Sequence, residues 1–167
     1  GVFLHQGNGG QEALSLQANA AIKGGDLVNG SARIEDIARI LPTFPGLPEL
    51  KAKLASQRDQ AAAALAKELD RADAQLRAGR ISGDKDSAQA LFEAVLALDA
   101  DNQRARSGLR KVAQALIVRA RVAIEDSNSE LAGRLLGQAE VLAPGQADLN
   151  AARVELRELR ERLQIAA

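Results

Sequence analysis

Ala88-Gln89-Ala90-Leu91-Phe92-Glu93-Ala94-Val95-Leu96-Ala97-Leu98 is followed, 44 positions on, by Ala132-Gly133-Arg134-Leu135-Leu136-Gly137-Gln138-Ala139-Glu140-Val141-Leu142. Ala88, Leu91, Phe92, Val95 and Leu98 fall on Ala132, Leu135, Leu136, Ala139 and Leu142, at the i, i+3, i+4, i+7, i+10 spacing of one helix face. The same offset carries Ala105, Gly108 and Val112 onto Leu149, Ala152 and Leu156. Asp99-Ala100-Asp101-Asn102 and Ala143-Pro144-Gly145-Gln146 separate the paired blocks and consist of turn and helix-start residues. A short helix, a turn and a longer helix are therefore written out and begun again.

A looser copy lies upstream. Ala18, Ile22 and the turn Lys23–Leu27 answer to Ala72, Leu76 and the turn Arg77–Ile81, and Ala120 with Ile124 take that part in the last copy. Pro45-Gly46 followed by Leu50 and Leu54 answers to Pro144-Gly145 followed by Leu149. Helical stripes repeating every 20 to 50 residues or so imply a solenoid, in which each unit buries its apolar face on its neighbour.

Composition agrees. Apolar residues make up 46% of the 167, but aromatic ones only 2%. The core is then aliphatic, which suits helix-on-helix layers and leaves few rings for base stacking or a tight pocket. Lys plus Arg and Asp plus Glu balance at 22 each, so no overall charge draws the chain to nucleic acid or an anionic membrane. The absence of cysteine removes thiolate catalysis, disulfides and Cys-ligated zinc together. The absence of methionine, even at the start, leads us to expect a processed or excised piece of something longer. No run of 18 or so apolar residues exists to form a membrane span.

Residues 1–10, rich in glycine, read as a flexible lead-in, and residues 11–167 as a single helical-repeat domain with copies roughly at 11–58, 59–112 and 113–163. The first helix is expected to start near Gln11 and stop at Gly24-Gly25, and the second to be capped by Ser31 and halted by Pro42. Pro48 suits the first turn of a long third helix that runs to about Gly79. Asp84 and Asp86 sit where an Asp caps the next helix, and Ser127 with Glu130 has capping-box spacing. Seven helices, alternately long and short, result.

Leu98-Asp99-Ala100-Asp101-Asn102, with Ala105, Gly108 and Leu109, resembles the hairpin junction of tetratricopeptide-like repeats in bacterial cell-envelope and signalling proteins. Ala100 stands where that family usually has Pro, the period is longer than its standard repeat, and its consensus Trp and Tyr are missing. The resemblance implies an all-α, TPR-like superhelical stack of about three helical hairpins, acting as a non-catalytic protein-interaction scaffold. It also implies tethering to a larger, membrane-anchored or secretion-linked protein. A piece without cysteine or methionine that begins on the short apolar stub Val2-Phe3-Leu4 is expected in the bacterial periplasm or envelope, with a cytoplasmic location as the alternative.

Site candidates are few. Arg104, Arg106, Arg110, Lys111, Arg119 and Arg121 form the longest run of one sign, and Arg106, Arg110 and Arg121 share a helix face that can grip an acidic partner. The competing reading is that these arginines lie along an apolar face or pair with Glu68, Asp70 or Asp73 on a neighbouring helix. Leu156, Leu159 and Leu163 have no following repeat to cover them, which predicts self-association through the last helix. That makes a structural spacer or oligomerisation element the alternative function. Asp84, Asp86 and Ser87 echo the start of a calcium loop but lack its later ligands. His5, the one histidine, has no partner for a triad or a metal. No catalytic, cofactor or metal residue is assigned.

Overall fold

The structure is a computed structural model that describes residues 2–166, with side chains described from Gly10 to Ala166. Among these residues it is all-α. The seven helices are α1 (Val2–Lys23), α2 (Leu27–Ile40), α3 (Leu47–Arg77), α4 (Ala88–Leu98), α5 (Gln103–Glu125), α6 (Ser129–Leu142) and α7 (Ala147–Ala166). The chain expected to form one domain is organised as two compact units, Gly1–Ala64 and Leu65–Ala167, and α3 belongs to both.

In the first unit, α1 pairs with α2, and the start of α3 completes the core. Ala18 and Ile22 meet Ile34 and Ile37, with Leu47, Leu50 and Leu54 closing the cluster. In the second unit, α4 packs on α5, α5 on both α6 and α7, and α6 on α7. Leu69 and Ala72 of α3 join this second cluster, which centres on Phe92, Val112, Leu116 and Leu136. Every one of these side chains is aliphatic or aromatic, and each fully buried one is worth about 1.5–3 kcal/mol over exposure.

The hairpin unit recurs in the backbone itself. The long helices α1, α3 and α5 leave through the same double hydrogen bond. Gly25 N donates to Ile22 O and Asp26 N to Ala21 O; Gly79 and Arg80 do the same to Leu76 and Gln75, and Ser127 and Asn128 to Ile124 and Ala123. This Schellman exit needs a left-handed residue, supplied by Gly25 (φ 85°), Gly79 (φ 81°) and Ser127 (φ 59°). Ala18, Ala72 and Ala120, each two turns earlier, are all fully buried.

The short helices end alike too. Leu41 (φ −142°, ψ 85°), Asp99 (φ −143°, ψ 87°) and Ala143 (φ −152°, ψ 80°) each donate their N–H one turn back, to Ile37, Val95 and Ala139. Between α4 and α7 the 44-position register is exact at both junctions, with Leu98 and Leu142 ending one helix and Gln103 and Ala147 starting the next.

Several expected boundaries move. α1 begins at Val2, ahead of the start near Gln11, so the backbone of the anticipated lead-in is helical from Val2. Gly7, Gly9 and Gly10 each disfavour a helix by about 1 kcal/mol relative to Ala, which is why composition points the other way. Asp26, not Ser31, caps α2, its carboxylate accepting from Asn29 N at 3.1 Å. Ser87 caps α4 through Ala90 N at 3.2 Å, where an Asp was expected. Asn128 caps α6 through Leu131 N at 3.2 Å, because Ser127 is taken up by the left-handed turn.

Candidate functional site

α5 carries the arginines singled out by sequence, and the fold gives most of them internal work. Arg104 Nη2 donates to Asp70 Oδ1 and Asp73 Oδ2, both at 2.6 Å, tying α5 to α3. The two carboxylates, Asp73 foremost, hold the Arg104 guanidinium's proton more tightly than usual. Arg106 folds back on its own junction, donating to Ala100 O through Nε at 3.1 Å and Nη2 at 2.9 Å, with Asp101 at 3.5 Å. Arg119 Nη2 donates to Gly79 O at 2.5 Å and so satisfies a carbonyl at the end of α3. Arg121 Nε lies 3.4 Å from Glu155 Oε2 of α7 without hydrogen-bond geometry. Arg110 is exposed. Arg106 and Arg110 are one turn apart, but Arg121 is a further 16 Å or so along the axis. Arg104 and Arg121 thus meet acids of neighbouring helices, Arg106 and Arg119 bond backbone carbonyls, and Arg110 is left exposed.

The C-terminal leucines divide. Leu156 and Leu159 are 3% and 2% exposed, packed in the core of the second unit, and neither is available to a second copy. Helices already present cover them, so the expectation of an uncovered leucine stripe is corrected to Leu163 alone, at 39%.

The calcium-like stretch is a turn. Asp84 Oδ1 accepts from Asp86 N at 2.8 Å, and Asp86 Oδ1 accepts from Arg71 Nη2 at 2.9 Å. Among the described residues no group of three His, Cys, Asp or Glu side chains is placed to hold a metal. His5 lies outside the described side chains.

A recess in the first unit lies between α1 and α3. Asn19, Ile22 and Lys23 face Lys53, Ser56 and Gln57 across a groove of about 450 Å³. Ile22, 3% exposed, is its floor. Asn19 and Lys23 are one helical turn apart on α1 and so project together. Lys53 Nζ donates to Asn19 Oδ1 at 3.2 Å and sits 3.4 Å from Glu49. The bridge across this groove therefore joins a cation to a neutral amide, whereas α3–α5 and α5–α7 are bridged by cation to carboxylate. The α5–α7 groove, about 340 Å³, mixes Arg121 and Arg162 with Glu125, Glu155 and Glu158 and compensates itself.

Residue reading alone misses the α1–α3 groove, because it depends on two helices separated by α2 meeting through their side chains. The one local signal was Asn19 and Lys23 at i, i+4.

No protein-family model, no curated protein and no solved structure matches the chain.

Proposed function

We propose that this chain is a non-catalytic protein-interaction scaffold of tetratricopeptide-like hairpins, which holds an acidic partner segment in the groove between α1 and α3. The observation that carries it is the composition of that groove. It has an apolar floor at Ile22, two lysines at its sides, and amide and hydroxyl groups from Asn19, Ser56 and Gln57. Such a surface offers hydrogen bonds and positive charge to an extended chain bearing carboxylates. The recurrence of one hairpin, exit and cap alike, supports the scaffold reading, since stacked hairpins generate such grooves between successive long helices.

The test is titration of a Glu-rich peptide of about ten residues with aliphatic side chains interspersed, followed by NMR shift mapping. The expected result is movement at Asn19, Lys23, Lys53 and Gln57, with affinity lost on joint Lys23→Glu and Lys53→Glu substitution. Shifts that follow Arg110 instead, or no shifts at millimolar peptide, overturn the assignment of the groove.

A structural spacer or oligomerisation element of an envelope or secretion assembly is the second reading. It is favoured by Leu163 and Ile165, exposed at 39% and 87% near the end of α7. Sedimentation of the wild type beside a Leu163→Ser, Ile165→Ser variant separates the two, because only an oligomer held by α7 dissociates on that change. No helix among the described residues is long and apolar enough to cross a membrane.

A further inference from the structure

We infer that residues 58–64 of α3 are a connector that opens locally while the cores on either side of it stay folded. The inference does not depend on what the protein binds. It starts from the two ways α3 is held. Leu47, Leu50 and Leu54 are 5%, 2% and 6% exposed and belong to one core; Leu69 and Ala72 are 4% and 0% exposed and belong to the other. The two cores share no residue.

Between them, Arg58-Asp59-Gln60-Ala61-Ala62-Ala63-Ala64 is exposed at every position, on all sides of the helix. The side-chain interaction recorded here is a long 3.5 Å bond from Gln60 Nε2 to Ser56 Oγ, one turn back on the same helix. A helical stretch without an apolar face is held by intrinsic propensity alone. Four consecutive alanines supply that propensity, but an unsupported segment of this length is too short to nucleate a helix by itself in water. It persists as a continuation of the packed turns at its ends. Opening it breaks a few solvent-exposed backbone hydrogen bonds and uncovers no apolar surface, so its opening free energy lies far below that of either core. In the second unit, by contrast, opening α5 would expose Val112, Ala113, Leu116 and Ile117 together.

Amide hydrogen exchange on the full chain tests this. The amides of residues 60–66 are expected to exchange at least about 100-fold faster, corrected for intrinsic rate, than those of Leu50, Leu116 and Leu136. Joint Ala62→Gly and Ala63→Gly substitution should lower protection in the segment by roughly fivefold per glycine, while protection at Leu50 and Leu116 is unchanged. Brief trypsin treatment should cut first after Arg58 or Lys67, leaving both resulting pieces resistant. Protection across 60–66 equal to that at Ala72 overturns the inference. So does loss of protection at Leu50 or Leu116 in the glycine variant, which would make the segment part of one cooperative structure.

Discussion

The α4–α5 and α6–α7 hairpins share a backbone and differ in what their long helices do past the first turns. Ala105 and Leu149, Gly108 and Ala152, Val112 and Leu156 are buried in both copies. One turn on, α5 presents Ala113, Leu116, Ile117 and Ala120, all buried, as it packs along α6. At the same register α7 presents Arg157, Arg160, Glu161 and Gln164, all exposed. Register alone makes a hairpin. Whether the far half of its long helix accepts another layer is decided by four side chains. α5 is written as an interior helix and α7, among the described residues, as an outer one with a charged, exposed far face.

The largest test of that contrast uses the C-terminal leucines. Leu156→Ala removes a buried side chain from the second core and should cost about 3 kcal/mol. Leu163→Ala, on the same helix, should stay within about 0.5 kcal/mol. Denaturant melts of the two variants decide it. Equal losses would mean that α7 is covered along its whole length.

A sharper comparison concerns one packed pair. Phe92 of α4 is fully buried, and a Cβ added at Gly108 of α5 would run into its ring. In the second copy the same two registers hold Leu136 and Ala152, both fully buried. A large ring over a glycine in one hairpin thus becomes a smaller side chain over an alanine in the other. Gly108→Ala gains about 1 kcal/mol of helix propensity but forces an enclosed ring to move, for a net loss of about 1–2 kcal/mol. Adding Phe92→Leu installs the second copy's pair and should recover most of that loss. A double-mutant cycle with no coupling would show that the two hairpins do not share this packing rule.

How far the residues foretold this differs by scale. The helix count, the alternation of long and short, and the α4–α7 register were open to reading, because aliphatic spacing reports which face is buried. Caps were less legible. Ser127 and Glu130 have capping-box spacing, yet the exit of α5 needs a left-handed residue at Ser127, and this hands the cap to Asn128. Tertiary demand outranks a local motif there. The leucines of α7 misled for a different reason: Leu156, Leu159 and Leu163 look alike in periodicity, and only the polar residues between them tell where coverage stops. The α1–α3 groove was out of reach because spacing along one helix does not say which neighbour it will face.

Smaller effects follow from the exits. Gly25 and Gly79 hold the left-handed position at no steric cost, and Ser127 holds it with a side chain. Ser127→Gly should stabilise the second unit by about 0.5–1 kcal/mol, and Gly79→Ser should destabilise it by about 1 kcal/mol. Thermal melts of both variants check the pair. If Ser127→Gly proves destabilising, the hydroxyl has a role that the backbone comparison does not contain.

A small change is also expected at the bridge between α3 and α5. Arg104 is half-exposed, so its two carboxylate bonds are worth roughly 0.5–1 kcal/mol despite their short length. Arg104→Ala should cost that amount, and Arg104→Lys should recover only part of it, since an ammonium lacks the planar fork that meets two acceptors. The folded-state pKa of Arg104 is raised, so its contribution is complete below the unfolded value and fades only as pH climbs through the raised one. The cost of Arg104→Ala should therefore be level from about pH 6 to about pH 10. It should shrink in about 1 M salt, where screening reaches within about 3 Å. The α5–α7 bridge, Arg121 to Glu155, lacks hydrogen-bond geometry, and Arg121→Ala should cost less than Arg104→Ala in the same buffer. The reverse order would mean that α7 is tied to α5 more firmly than α3 is, and that the outer helix draws its stability from charge as well as from Leu156 and Leu159.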